Sequence, residues 1–123
     1  MNVLLCEPGK LAQPTTINHD LKSMQDIVGG TIEVVYPWGD AVAVVCNDEG
    51  LLLGLPLNRK LNEHTIIAGT FFVCGLGRED LSDLPPELME KYQKLLHYPQ
   101  IFVSMDGELL GIPYEPEGGD RDE

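Results

Sequence analysis

The chain has 123 residues, with 8 lysines and arginines against 20 aspartates and glutamates, so its formal net charge is −12. Nonspecific binding to nucleic acid or to an anionic membrane requires clustered positive charge, and a chain this acidic argues against both. No apolar run approaches the roughly 18 residues that cross a bilayer. The first residues predict a strand and not a signal peptide, because no basic segment precedes their apolar run. We expect a cytoplasmic protein with one domain over residues 1–114 and an acidic, disordered tail over residues 115–123.

The cysteine and histidine patterns favour core packing over metal binding. Cys6, Cys46 and Cys74 each lie in an apolar run, where a free cysteine behaves as a small hydrophobic residue. Their number is odd, and no Cys-x-x-Cys or His-x-x-x-His spacing occurs. We therefore expect three free, buried thiols, no metal site and no cofactor.

The N-terminal quarter predicts two short strands and a helix. Residues 3–6 and 15–17 have the composition of strands, and Pro14 indicates that the second one is an edge strand or begins late. Asp20 can cap the helix that follows, in which apolar residues recur at helical spacing. Gly29 ends this helix, because glycine readily takes the left-handed position after the last turn.

Residues 29–59 predict a three-stranded antiparallel meander. Turn residues at 37–40 and 47–50 divide this stretch into three apolar runs. The middle run, 41–46, is almost wholly apolar, which predicts a central strand covered on both faces. The third strand is predicted at residues 51–55.

The remaining elements complete an α+β pattern. A polar loop is predicted at residues 59–64, and one strong strand at 65–74. A surface helix begins after Pro85 and ends before Pro99, because proline cannot continue a helix. A hairpin turns at Asp106-Gly107. The fold class predicted is α+β, a mostly antiparallel sheet of five to seven strands with two helices packed on it.

Several segments of the chain resemble a family of short proteins of unknown function carried by phages and other mobile elements of bacteria. The resemblance rests on VGG followed by IEVVYP, and on NDEG, GLPLNR and IIAGTFFV, and it covers about residues 1–98. It implies a cytosolic accessory protein of a mobile element, including action against host defence. It implies no catalytic residues.

An enzyme is the function class with the least support in the sequence. No serine or cysteine lies in a nucleophile-elbow pattern, and the acids show no metal-binding spacing. His64 stands beside Glu63 in a polar segment, which is typical of a solvated pair. An acid–base pair of Glu33 with His64 stays open, because catalytic groups meet in space and not in sequence. We expect a protein that is not an enzyme.

A protein that sequesters a nucleotide-like immune signal fits the sequence better. Such a site needs an aromatic platform for the base, a cation for phosphate, and polar groups for ribose. The candidate ligand-binding residues are Arg59, Asn58, Asn47, Glu33, Tyr36, Trp38 and Thr70. A domain of this size forms shallow pockets, so we expect the site at the interface of a homodimer or higher homo-oligomer.

Most of these residues also have a structural interpretation. Tyr36 and Trp38 can pack at a strand end. Asn58 and Arg59 can cap a loop or pair with Glu33, because semi-buried polar groups usually serve structure. Glu33 can equally face water on an open sheet.

The alternative function is an acidic inhibitor that binds a defence enzyme, for example by mimicking nucleic acid. Five acids cluster around the start of the second predicted helix: Glu79, Asp80, Asp83, Glu87 and Glu90. Interaction with the helix dipole explains part of this cluster. Lys91 and Lys94 interrupt its negative face.

Overall fold

The computed structural model describes residues 1–117 and has the predicted α+β architecture. The helices are α1 (Leu21–Val28) and α2 (Pro86–Leu96). The strands are β1 (Asn2–Cys6), β2 (Gln13–Thr16), β3 (Ile32–Val35), β4 (Val42–Asn47), β5 (Leu57–Asn62), β6 (Thr65–Ala68), β7 (Phe71–Leu76), β8 (Leu81–Ser82), β9 (Gln100–Met105) and β10 (Glu108–Pro113).

The main sheet contains six strands, and its neighbours are all antiparallel. The order is β2-β1-β7-β4-β3, and β8 pairs with β7 outside this path. Two separate antiparallel pairs, β5–β6 and β9–β10, complete the sheets of the described residues. The predicted strand number and the two helices are confirmed.

Strand β4 lies inside the sheet and is buried along its whole length. Successive side chains of a strand point to opposite faces. Val44 therefore packs in an apolar cluster with Val73 of β7 and Tyr92 of α2. Val45 belongs to a second cluster, with Phe72 and with Met24 of α1. Each face of the sheet is covered by one helix, as the continuous apolar run of this strand predicts.

Both ends of α1 are as predicted. The Asp20 carboxylate accepts a hydrogen bond from the backbone N–H of Ser23 at 2.8 Å, which satisfies a free donor of the first turn. Gly29 has a left-handed φ of 82°, and its N–H donates to the Gln25 carbonyl at 2.8 Å. The two caps therefore define where the helix begins and where it ends.

The predicted meander is wrong in its third strand. β3 and β4 form a hairpin, but the second neighbour of β4 is β7. Residues 51–54 form turns, in which the N–H of Leu53 donates to the Glu49 carbonyl at 2.8 Å. The leucine run ends at Gly54, whose φ of 72° is left-handed, whereas the FFVC sequence of β7 buries side chains on both faces of an inner strand.

Two other boundaries differ from the prediction. Residues 57–62 form strand β5, where a polar loop was predicted from residue 59. The strand predicted over residues 65–74 is divided into β6 and β7 at Gly69, whose φ is 86°. The sequence did not predict β5 because its polar residues Asn58 and Arg59 are both buried. Strand prediction relies on apolar residues alternating with polar ones, and β5 lacks that pattern.

The predictions for the second strand and for the last hairpin agree with the structure. β2, which contains Pro14, is an edge strand. β9 and β10 form a hairpin around Asp106 and Gly107, which both have positive φ. Residues 118–123, most of the predicted tail, lie outside the described residues.

Across residues 1–117, neither helix is long and apolar enough to cross a membrane.

Candidate functional site

Arg59, the predicted phosphate ligand, is fully buried and saturated with hydrogen bonds. A guanidinium has five N–H donors. They are directed at oxygens of the protein itself: Leu96 O at 2.7 Å, Asn58 Oδ1 at 2.6 Å, Lys10 O at 2.7 Å, and Glu7 O and His97 O at 3.4 Å each. Arg59 thus ties the turn after β1 to the end of α2, and a phosphate would have to replace these acceptors.

Burial also changes the electrostatics of Arg59. It lowers the pKa of the guanidinium from its ordinary value, although arginine keeps its charge in proteins. Within residues 1–117, Arg59 forms no salt bridge, and the predicted pairing with Glu33 is not among the ion pairs. Backbone carbonyl dipoles, and not a carboxylate, compensate this buried charge.

The two predicted asparagines are also committed to the fold. The Nδ2 of Asn58 donates to Cys6 O at 3.0 Å and to Gly69 O at 2.8 Å. The Nδ2 of Asn47 donates to Val28 O at 3.1 Å, and its Oδ1 accepts from the N–H of Glu49 at 2.7 Å. Both amides join segments that are distant in sequence, as buried polar side chains usually do.

Trp38 packs at the end of a strand, as its structural interpretation predicts. Its ring stacks on Tyr92 of α2 with centroids 4.4 Å apart, and its indole N–H donates to Leu61 O at 3.1 Å. In the same turn, the Asp40 carboxylate accepts from Lys91 Nζ and from the Tyr92 hydroxyl, both at 2.7 Å. The turn at residues 37–40 is therefore fastened to α2.

The other three predicted residues are at least partly accessible. Tyr36 is exposed at the end of β3, Glu33 is exposed in β3, and Thr70 is half-buried between β6 and β7. Of the seven predicted residues, Glu33 and Asn47 line one common cavity. The remaining residues lie outside it, so the predicted set does not line a single site.

That cavity has a volume of about 270 Å³ and lies between β3, the segment after β4, and β6. We call it the leucine cleft; its lining residues are Glu33, Cys46, Asn47, Asp48, Glu49, Gly50, Leu51, Leu52, Ile66, Ile67 and Ala68. Acids and apolar residues predominate, and no lysine or arginine is among them.

Two exposed leucines line the leucine cleft, Leu51 and Leu52, and the exposed Leu53 follows them in the chain. Leu51, Leu52 and Leu53 are 67%, 87% and 58% exposed. Single exposed apolar residues are common on proteins, but adjacent ones point to an interaction surface. The prediction of a strand at residues 51–55 missed this surface, although Gly50 and Gly54, which flank the three leucines, are typical of a turn.

A second cavity lies over the turn whose carbonyls hold Arg59. Its volume is about 670 Å³, and its lining residues are Glu7, Gly9, Lys10, Leu11, Gln13, Tyr114, Pro116 and Glu117. Lys10 Nζ is 3.6 Å from the Glu7 carboxylate on the surface. This cavity combines an aromatic ring, a cation and two acids.

The three cysteines are free and buried, as predicted. Burial raises the pKa of Cys6 and of Cys74 to about 12 and that of Cys46 to about 11. These thiols therefore stay protonated at neutral pH, and a protonated thiol is a poor nucleophile. Among the described residues, no three His, Cys, Asp or Glu side chains come together as metal ligands do.

Comparison with known proteins gives a family and no function. A family model with the description Domain of unknown function (DUF3846) matches residues 1–97. No curated protein and no solved structure matches the chain.

Proposed function

The chain belongs to the family Domain of unknown function (DUF3846), and we propose that it is a non-enzymatic binding protein whose partner is another protein. The observation that carries this proposal is the leucine cleft with its three adjacent exposed leucines. Contiguous exposed apolar surface rimmed by polar residues is typical of protein-binding sites. Such a surface favours an acidic inhibitor that binds a protein over a protein that sequesters a nucleotide-like signal.

Charge and hydrogen bonding support a protein partner over a nucleotide. The cation predicted to bind phosphate, Arg59, donates all its hydrogen bonds to protein oxygens. The leucine cleft itself carries Glu33, Asp48 and Glu49. A phosphate group placed there would meet like charge without a compensating donor.

The biological setting of the proposal is counter-defence in the bacterial cytoplasm. Its support is the resemblance to short proteins of phages and mobile elements, together with the acidic charge of the chain. An acidic protein attracts basic partners at distances up to about the Debye length, which is about 8 Å at physiological salt. Host defence proteins that bind nucleic acid have such basic surfaces, so they are the proposed targets.

The second candidate function remains the sequestration of a nucleotide-like signal. The cavity over the turn at residues 7–10 supports it, because its volume of about 670 Å³ lies within the range of small-molecule sites. Tyr114 would stack on a base, and Lys10 would contact a phosphate. Lys10 contributes only its backbone carbonyl to the buried network of Asn58 and Arg59, so its ammonium group is not committed to that network.

We also propose that the protein self-associates through the β9–β10 hairpin. Ile101, Val103 and Met105 alternate along β9 and are exposed, and Ile112 lies opposite Ile101. These four side chains are uncharged, but Glu108 lies opposite Met105 at the turn end of the hairpin, so two copies of a chain with a net charge of −12 avoid direct charge repulsion where they pair through Ile101, Val103 and Ile112. The partner at this surface is therefore a second copy.

Pull-down of bacterial defence proteins, each produced singly, tests the proposed function. We expect the tagged chain to retain one of them, and Leu52→Ser to lose it. Leu95→Ser is the matched control, because Leu95 is 56% exposed on α2, away from the leucine cleft. Retention of an intact nucleotide by the chain, with no defence protein retained, would contradict the proposal.

A further inference from the structure

We infer that the partner of the leucine cleft is an amphipathic protein segment with apolar and basic residues. This inference rests on the proposed function and names the chemistry of the partner. One apolar side chain of the segment enters the cleft, neighbouring apolar residues cover Leu51, Leu52 and Leu53, and lysines or arginines contact the acidic rim.

The size of the leucine cleft favours a side chain over a whole small molecule. Its volume of about 270 Å³ lies below the range of about 300–1,000 Å³ that is typical of small-molecule sites. Its apolar wall is formed by Ile66, Ile67 and Ala68 of β6. A single large apolar anchor that fills a small pocket is typical of protein–protein hot spots.

The rim of the cleft supplies the charge complementarity. Glu33, Asp48 and Glu49 are exposed at its edge. None of the three takes part in a salt bridge within residues 1–117. Their charges are therefore free to pair with cations of a partner, and complementary charge raises both the association rate and the specificity.

The loop that carries the leucines is held in place before any partner binds. The N–H of Leu55 donates to Gly50 O at 3.0 Å, and the Asn47 side chain is fixed to Val28 O at 3.1 Å. Gly50 also lies against β6, since an added Cβ would come within 2.6 Å of Ala68 O. Such preorganisation lowers the entropy lost on binding.

The same observations argue against two other occupants. A second copy of the chain also has a net charge of −12, so its surface offers few cations to the rim. A nucleotide would bring phosphate to Glu33, Asp48 and Glu49 with no lysine or arginine in the lining. The amphipathic basic segment packs its apolar side chains against the apolar wall and pairs its cations with the acidic rim.

NMR titration of the ¹⁵N-labelled full chain tests this inference. The probe is a synthetic peptide with leucines at helical i, i+3/i+4 spacing and lysines between them, and the comparison is the same peptide with glutamates for lysines. We expect the lysine peptide to shift the amides of residues 48–53 and 66–68, and the glutamate peptide to leave them unchanged. Leu52→Ser and Glu49→Lys should each weaken binding by about tenfold, because each removes one of the two recognition elements.

The controls distinguish two outcomes: the leucine cleft is the wrong site, or the proposed function itself is wrong. Leu95→Ser should bind the lysine peptide as tightly as the unchanged chain, and the amide spectrum of every variant reports whether it is folded. Peptide-induced shifts confined to α2 or to the β9–β10 hairpin, or no shift at all, would refute the leucine cleft and leave protein binding elsewhere open. Shifts caused by a cyclic dinucleotide around Lys10 and Tyr114, with none caused by the peptide, would refute the proposed function itself.

Discussion

Arg59 connects three parts of the fold through a single buried side chain. It donates hydrogen bonds to carbonyls of the turn after β1, of α2 and of the residue that follows α2, and it also donates to the amide oxygen of Asn58. From the sequence, Asn58 and Arg59 are candidates to bind a ligand, to cap a loop or to pair with Glu33. The sequence does not reveal their partners, because most of these lie 37 to 52 positions away along the chain, and Gly69 lies 11 positions from Asn58.

We expect Arg59→Ala to lower the free energy of unfolding by about 3 kcal/mol or more, because several buried carbonyls lose their donor. Arg59→Lys should recover only part of this loss, since an ammonium has fewer donors in a different geometry. Urea denaturation measures both values. Arg78→Ala is the control, because Arg78 is exposed. Equal stability of Arg59→Ala and Arg78→Ala would contradict a structural role for Arg59.

The buried thiols give a second prediction. Because burial raises the pKa of Cys6 and of Cys74 to about 12, the thiolate that reacts with disulfide reagents is nearly absent at pH 8. We expect the folded chain to react slowly with Ellman's reagent, and the chain in denaturant to release three equivalents quickly, one for each cysteine. Rapid reaction of the folded protein would show that a cysteine is accessible.

Among the elements, the contrast between β5 and residues 51–54 shows what sequence patterns miss. The apolar run LLLGL predicts a strand and the polar residues 59–64 predict a loop, whereas residues 51–54 form turns and residues 57–62 form a strand. Local composition could not decide, because β5 is stabilised by distant groups: Leu61 packs under α2, and Asn58 binds Cys6 O of β1. The central strand, both helices and the last hairpin were predicted correctly, since their signals are local.

The packing of the leucine loop on β6 gives a prediction for Gly50. We expect Gly50→Ala to destabilise the fold by about 1–3 kcal/mol, because the new Cβ would meet Ala68 O at 2.6 Å. Thermal unfolding measures this loss. Gly39→Ala is the matched control, because a Cβ there has nothing within 4 Å. Similar melting temperatures for the two variants would show that the loop does not rest on β6 as described.

The link between the turn at residues 37–40 and α2 predicts a pH dependence. Hydrogen bonds from Lys91 and Tyr92 lower the pKa of Asp40 from its ordinary value of 3.8. A carboxyl whose pKa is lower in the folded state stabilises the fold above its ordinary pKa, and this contribution disappears as the pH falls through the lowered value. The stability difference between the unchanged chain and Asp40→Asn should therefore be larger at pH 6 than at pH 2.5.

Urea denaturation at both pH values measures that difference. Asp106→Asn is a suitable control, because Asp106 is exposed in the hairpin turn and carries no salt bridge among the described residues. A difference for Asp40→Asn that stays constant or grows as the pH falls would contradict the assigned hydrogen bonds.

In the molecule as a whole, the two proposed interaction surfaces lie on different sides of the boundary at which the family match ends. The family model covers residues 1–97, and the β9–β10 hairpin lies after it. The hairpin is attached to β5, since Lys60 N–H donates to the Gln100 side chain at 2.9 Å and Lys60 Nζ donates to Leu109 O at 3.1 Å. The proposed partner surface thus lies within the family domain, and the proposed self-association surface lies outside it.

The candidate site could be predicted from the sequence only in part. Glu33 and Asn47 were chosen as ligand contacts and do line the leucine cleft. Arg59 and Trp38 were chosen for their chemistry, but their polar groups are directed at protein carbonyls. Composition shows which side chains are capable of binding, whereas burial, which depends on the whole fold, determines whether they are free to do so.

Native mass spectrometry of the purified chain, mixed with the lysine–leucine peptide and a panel of cyclic nucleotides, distinguishes a protein-binding chain from a nucleotide-binding one. Binding of an amphipathic basic segment at the leucine cleft predicts one peptide per chain, no retained nucleotide, and loss of the peptide adduct in Leu52→Ser but not in Leu95→Ser. An intact nucleotide retained on each chain, with no peptide adduct, would contradict it and identify the protein as a nucleotide-binding protein.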